Sequence, residues 1–284
     1  MEEKENKVLC SENYHSPEMR KQYMGYSQFK NFLQCEKEAL ALVNGEIEEK
    51  STDALLYGSY VDAYFSNELT EFVKTHPEMF NSKTGELKAP FKSINNVIDT
   101  IKDDELLLQY LSGEHQVIMT GVIAGVKFKI KVDSYHPGKV IVDQKIMKSL
   151  ETVWVEKVDS NGITRNVKVD FVEAYRYDLE GAIYQEIVRQ NTIDAEHPNG
   201  LKLPFVLAVT TKEDCPDKAL IKIDQEYLDR ALEEVIEKAP RFDAIKKGEI
   251  KPNGCGKCGV CRKNNKLTGV MSYSKLFHNE EIEY

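Results

Sequence analysis

The stretch that decides the fold is GVKFKIKVDSYHPGKVIVDQK, at residues 125–145. Its first half alternates apolar and charged residues without a break, which is the pattern of a β-strand with one buried face. His136, Pro137 and Gly138 then give a turn signal, and a second strand begins at Lys139. Two such runs joined by a short turn predict an antiparallel hairpin.

Helical patterns precede this hairpin, and both helices and strands follow it. This order favours an α/β fold with a central mixed β-sheet flanked by helices. The chain is expected to form a polar N-terminal segment (1–25), one domain (26–266) and a C-terminal tail (267–284). The spacing of apolar residues predicts helices over 27–41, 54–73, 93–112, 170–190 and 225–247, and strands over 203–211 and 218–224.

Composition describes a soluble globular protein. The chain has 284 residues, 41% of them hydrophobic and 30% charged, with a formal net charge of −9. No run approaches the ~20 apolar residues of a membrane span, and MEEKENKVLC at residues 1–10 lacks the features of a signal peptide. We therefore expect a cytoplasmic protein without a membrane partner. The negative charge argues against polyanion binding over the whole surface, but it permits a local basic groove.

Two carboxylates and a lysine lie on the predicted hairpin. Side chains alternate across a strand, so Asp143 and Lys145 share one face of the second strand. If the two strands present these faces together, carboxylates are available to hold divalent cations and a lysine to stabilise charge, as metal-dependent phosphodiester hydrolysis requires. Salt bridges on a solvated hairpin would give the same pattern. The face of the first strand carries Asp133 together with Lys127, Lys129 and Lys131, which are candidate phosphate contacts.

This pattern resembles the PD-(D/E)xK nuclease superfamily, whose signature is an Asp at the end of one strand and Asp/Glu-x-Lys on the next. The chain is most similar to the RecB-like and phage exodeoxyribonuclease VIII-type branch. That branch carries an upstream Gly-x-x-x-His motif, for which Gly58-x-x-x-Asp62 stands here, and a later Gln-x-x-x-Tyr helix, for which Glu180-x-x-x-Tyr184 stands here. Asp62 and Glu180 both depart from the family pattern. Tyr177 and Gln185 are two further sites that could stand in for the helix motif.

Three cysteines, Cys255, Cys258 and Cys261, fall within seven residues near the C-terminus. Glycines between and beside them permit the tight turns of a metal-binding knuckle. Three thiolates leave a tetrahedral metal or an iron–sulfur cluster one ligand short. The resemblance implies Cys35 as the fourth ligand and a [4Fe-4S] cluster, with Zn²⁺ as the alternative. Cys10 and Cys215 are expected to be ordinary thiols.

The resemblance implies a restriction-endonuclease-like core and an Mg²⁺- or Mn²⁺-dependent DNA exonuclease that resects ends for phage-type recombination or repair. Asp133 and Asp143 would bind metal with Asp62 in support, Lys145 would position the attacking water, and Glu180 with Tyr184 would contact the substrate strand. A single-strand annealing protein, a homo-oligomer and, for a phage-encoded enzyme, a bacterial host cell are expected by the same resemblance. The alternative is a nucleic-acid or protein-binding module that has lost catalysis and keeps a cysteine-bound metal.

Overall fold

The computed structural model describes residues 8–48, 51–158, 164–266, 269–270 and 273. The predicted tail over 267–284 lies almost wholly outside these residues, as do residues 1–7 of the polar N-terminal segment. Among the described residues, no helix has both the length and the apolar character to span a membrane.

A mixed five-stranded sheet forms the centre of the molecule and confirms the predicted α/β class. In spatial order the strands are β1 (Glu114–Ile123), β2 (Val126–His136), β3 (Val140–Met147), β6 (Phe205–Thr211) and β7 (Lys218–Lys222). Neighbouring strands are antiparallel except for β3 and β6, which are parallel. A separate hairpin of β4 (Val153–Val158) and β5 (Thr164–Val169) follows β3 in the chain.

Helices cover both faces of this sheet, and two apolar cores result. The larger core includes Phe29, Phe128, Ile183 and Phe205, and the smaller includes Val61, Ile94 and Val142. The eleven helices among the described residues are α1 (Pro17–Gln22), α2 (Tyr26–Gln34), α3 (Glu36–Asn44), α4 (Asp53–Phe65), α5 (Leu69–Thr75), α6 (Ile94–Lys102), α7 (Glu105–Leu111), α8 (Phe171–Tyr175), α9 (Tyr177–Asn191), α10 (Gln225–Lys246) and α11 (Gly259–Lys263).

The predicted hairpin is present, but its two strands separate where the carboxylates lie. Strands β2 and β3 pair only from Ser134↔Val142 to His136↔Val140, next to the turn. Beyond that point Oδ2 of Asp133 accepts a hydrogen bond from the backbone N–H of Gln144 at 2.9 Å, in place of a ladder bond. The carboxylates therefore lie at the fork between two diverging strands.

Residues of the N-terminal segment fill part of this fork. The N–H of Met24 donates to the carbonyl of Lys127 at 2.8 Å, and the N–H of Lys129 donates to the carbonyl of Met24 at 2.9 Å. Met24 thus pairs in parallel with Phe128 on the edge of β2 that β3 leaves open. Met24 consequently attaches the chain before α2 to the edge of the sheet, and residues of this segment form one wall of the space above it.

The predicted long helix containing Cys35 is two helices. Cys35 has an extended backbone conformation (φ −162°, ψ 110°) between α2 and α3. The helix predicted over 170–190 is likewise split into α8 and α9 by Arg176, whose φ is +59°. Apolar spacing continues through both breaks, which is why the sequence pattern does not mark them.

Candidate active site and cysteine centre

A groove of about 450 Å³ opens between the N-terminal segment, α2 and the fork of the sheet. Strand β2 contributes Asp133 to its lining, β3 contributes Asp143 and Lys145, and α9 contributes Glu180. The structure therefore brings these four predicted residues together in one groove.

Lys145 lies at the centre of this group. Its Nζ is 2.6 Å from Oδ2 of Asp143 and 3.0 Å from Oε2 of Glu180, and it lies over the ring of Tyr177 at 5.0 Å. Burial alone would lower the pKa of Lys145, but the carboxylates of Asp143 and Glu180 raise it well above its ordinary value. The side chain is therefore held as an ammonium ion, able to donate hydrogen bonds but not to accept a proton.

The carboxylates of the site have raised pKa values. Burial raises the pKa of Asp133 well above its usual range, with the negative charges of Asp143 and Asp62 adding to the effect. Burial also raises the pKa of Asp62 to about 6 and that of Glu180 to about 7. Hard oxygen donors that oppose one another's ionisation form a donor set that fits a divalent cation, because a cation would stabilise the ionised forms.

Asp62 reaches this group through a residue that sequence analysis missed. Nε2 of Gln116 donates to both carboxylate oxygens of Asp62 at 3.0 Å and lies 3.5 Å from Oδ1 of Asp133. Helix α4 therefore does present Asp62 to the carboxylate of β2, with an amide between them. No charge or spacing marks Gln116 in the sequence.

The other predicted substrate contacts differ in position. The Tyr184 hydroxyl donates to the backbone carbonyl of Lys131 at 3.0 Å while its side chain lines the groove. Lys131 also lines the groove, whereas Lys127 is exposed and absent from its lining. Lys129 is only 5% exposed, and its ammonium donates to the carbonyl of Tyr14 and lies 4.3 Å from the centre of that ring. The ammonium of Lys129 is thus already bound by Tyr14 of the N-terminal segment.

The four cysteines of the predicted metal site are brought together. Sγ of Cys35 is 3.7 Å from that of Cys258 and 3.6 Å from that of Cys261. With Cys255 included, the four Sγ atoms all lie within 4.8 Å of one another. The extended conformation of Cys35 places its side chain at the joint between α2 and α3. Cys10 and Cys215 are exposed and lie outside this group.

Backbone geometry around these sulfurs suits a metal or cluster. Two N–H groups, from Lys257 and Cys258, donate to Sγ of Cys255 at 3.4 and 3.2 Å. These donors lower the pKa of Cys255 to about 6, and thiolate is the form that binds metals. Gly256 has a φ of +72°, a conformation that favours glycine and turns the chain between two of the cysteines. The donors fit either Zn²⁺ or an iron–sulfur cluster.

Comparison with known proteins agrees with this geometry. A solved structure from Eubacterium rectale, described as a crystal structure of a "Putative exonuclease", is 43% identical over 96% of this chain and 100% of that chain, with a TM-score of 0.85. No curated protein matches the chain. The family model described as "PDDEXK-like domain of unknown function (DUF3799)" matches residues 25–264. The chain therefore belongs to this PDDEXK-like family and has the restriction-endonuclease-like fold of a nuclease.

Proposed function

We propose that this protein is an Mg²⁺- or Mn²⁺-dependent deoxyribonuclease that digests duplex DNA from its ends, in phage-type recombination or repair. The observation that carries the proposal is the fork between β2 and β3, where Lys145 is held between Asp143 and Glu180 beside Asp133. Phosphodiester hydrolysis requires carboxylates to hold a cation and a fixed positive charge near the phosphate, and this fork offers both.

In this proposal Asp133 and Asp143 hold the divalent cation, with Asp62 in support. When bound, the cation supplies an activated water and neutralises charge on the phosphate. Lys145 remains protonated, so it orients that water and stabilises the negative charge that develops as water attacks phosphorus and the bond to the leaving oxygen breaks. Glu180 of α9 fixes the ammonium of Lys145 through its ion pair, and Tyr184 lines the groove where the substrate strand would lie.

Substrate binding follows the same groove. Lys131 is the predicted basic residue best placed to contact a phosphate, because it lines the groove beside the carboxylates. Lys127 would contact the DNA farther along β2, and Lys129 would do so only where Tyr14 releases it. A homo-oligomer that retains DNA and a single-strand annealing partner that receives the product strand are the assemblies that this activity would use.

Digestion of matched linear and circular duplexes tests the proposal. With Mg²⁺ or Mn²⁺, the native protein should degrade the linear form and spare covalently closed circles. Asp143→Asn and Lys145→Met should each lose activity by roughly 100-fold or more, because the first removes a carboxylate that would hold the cation and the second removes the positive charge beside the reacting phosphate. Lys148→Met is the matched control, since Lys148 is an exposed lysine just beyond β3.

Each other outcome has a definite meaning. Cleavage of circles would indicate an endonuclease. Equal activity in Lys145→Met and Lys148→Met would refute the assignment of Lys145. No cleavage by a folded, cation-loaded protein that still binds DNA would refute catalysis and leave a binding module on a nuclease fold.

A further inference from the structure

The backbone of Gln116 is unusual for its position. It lies within β1, opposite Asp133, because its neighbours form the pairs His115↔Ser134 and Val117↔Val132. Its φ is nevertheless +52°, in the left-handed region that residues other than glycine seldom adopt. Such strain persists only where the surrounding structure enforces it, and it concentrates at functional sites. Here it accompanies a side chain aimed at two carboxylates.

The polar atoms of this side chain are unequally satisfied. Gln116 is only 8% exposed, and its Nε2 donates to Asp62 and lies beside Asp133. Its Oε1 is buried and has no hydrogen-bond partner among the described residues. A buried amide oxygen without a partner costs about 1–3 kcal/mol. Within the described part of the chain, the amide thus satisfies the carboxylates and leaves its own oxygen unsatisfied.

A bound cation reverses the preferred orientation of the Gln116 amide. The terminal torsion of a glutamine is broad and nearly two-fold, so a half-turn exchanges the positions of Oε1 and Nε2. An NH₂ group facing carboxylates is favourable while no cation lies among them, and an oxygen is favourable once one does. Both orientations require the side chain to lie beside Asp62 and Asp133, where the strained backbone of β1 places it.

We infer that Gln116 belongs to the cation site: its amide holds Asp62 next to Asp133 in the cation-free protein and turns its oxygen towards the cation, as a neutral ligand, when one binds. This inference rests on the proposed cation-dependent function and adds a neutral ligand that none of the recognised motifs contains. It also accounts for the orphaned oxygen and for a left-handed residue inside a strand.

Manganese titration tests the inference without an activity assay. Binding of Mn²⁺ alone is followed by the electron paramagnetic resonance signal of the free ion, and the melting temperature is recorded with and without Mn²⁺. In Gln116→Met the affinity for Mn²⁺ should fall 10- to 100-fold, as is usual when a group that orients metal ligands is removed. A second variant, Gln116→Glu, adds a negative charge. Gln109→Glu is its control, because Gln109 is exposed on α7.

Gln116→Glu makes the prediction sharper, because it moves two quantities in opposite directions. A further carboxylate beside Asp62 and Asp133 should lower the melting temperature of the cation-free protein and raise the affinity for Mn²⁺, whereas Gln109→Glu should change neither. Lower melting temperatures with unchanged Mn²⁺ affinity in both Gln116 variants would show a purely structural role and overturn the inference alone. If Gln116→Met fails to fold, Gln116→Glu decides by the same criterion. Absence of Mn²⁺ binding in the native protein would overturn this inference together with the proposed function.

Discussion

At the scale of single residues, Glu180 shows how burial determines chemistry. Its carboxylate is 5% exposed and forms an ion pair with Lys145, yet burial and the charge of Asp143 raise its pKa to about 7. The resemblance to exodeoxyribonuclease VIII-type enzymes implies a glutamine at this position. A carboxylate with a pKa near 7 is partly neutral at physiological pH and so resembles that amide more closely than an ordinary glutamate would.

This pKa predicts how stability depends on pH. Because the folded-state pKa of Glu180 lies above its ordinary value of 4.5, folding favours the protonated form. The resulting stabilisation is complete below pH 4.5 and is lost as the pH rises through 7. The cation-free protein should therefore have a lower melting temperature at pH 8 than at pH 5, and Glu180→Gln should flatten this dependence. Thermal unfolding followed by circular dichroism across this range gives the measurement.

Glu186, on the same helix, is the control with the opposite sign. Burial alone would raise its pKa, but hydrogen bonds from Arg189 and Gln190 lower it. Its stabilising contribution is therefore present above pH 4.5, so Glu186→Gln should lower the melting temperature at neutral pH. A similar response in the two variants would contradict the difference in environment described for them.

The site residues differ in how far the sequence could reveal them. Asp133, Asp143 and Lys145 stand out because strand alternation and their order identify a known signature. Gln116 could not be found in this way, because a neutral amide leaves no charge pattern and nothing in the sequence marks the left-handed conformation of its backbone. The contact between Lys129 and Tyr14 joins residues 115 positions apart, which no local pattern encodes.

At the scale of elements, two glycines in helices have opposite surroundings. A Cβ on Gly181 of α9 would lie 2.6 Å from the ring of Phe205 and 2.8 Å from Leu228, because α9 packs closely against β6 and α10. A Cβ on Gly58 of α4 would meet nothing within 4 Å among the residues that the structure describes. Packing therefore requires glycine at position 181. At position 58 the surroundings would accept alanine, which stabilises a helix more than glycine does.

Alanine substitutions should therefore act in opposite directions. Gly181→Ala should lower the free energy of unfolding by about 1–3 kcal/mol through overpacking. Gly58→Ala should raise it by about 0.5–1 kcal/mol, since alanine loses less conformational entropy in a helix interior. Urea denaturation measures both values. Destabilisation by Gly58→Ala would show that α4 needs glycine for a reason other than the space around it.

The sequence predicts some helices and strands clearly and others not at all, for physical reasons. The hairpin of β2 and β3 and helix α10 follow clear periodicities, and the structure contains both. Strand β1 was missed because apolar residues occupy both of its faces, from Val117 to Ile123, so that no alternation remains. The parallel pairing of β3 with β6 depends on the crossover through α8 and α9, which only the packed fold determines.

At the scale of the whole molecule, the cysteine centre joins the two ends of the domain. Cys35 and Cys258 are 223 residues apart in the sequence, yet their sulfurs are 3.7 Å apart. Glu36 reinforces the junction, because it accepts hydrogen bonds from the guanidinium of Arg241 at 2.7 and 2.9 Å and from the backbone N–H of Asn253 at 2.6 Å. The same α2–α3 region forms a wall of the groove. A cross-link between the two ends of the domain should therefore restrict the motion of the groove as well as stabilise the fold.

Removing the cross-link should therefore destabilise the whole domain. A metal or cluster held by the four thiolates would close a loop of more than 200 residues, and such a link contributes about 2–5 kcal/mol, mainly by restricting the unfolded chain. Cys35→Ser, or treatment of the purified protein with a chelator, should accordingly lower the melting temperature by roughly 5–15 °C. Cys215→Ser is the matched control, since that thiol is exposed and outside the centre.

Metal analysis and the visible spectrum of the anaerobically purified protein report whether iron or zinc is lost. Because Glu36 and the packed core remain, Cys35→Ser should retain a cooperative unfolding transition; a variant that keeps its full metal content and melting temperature would show that Cys35 lies beside the centre without closing it.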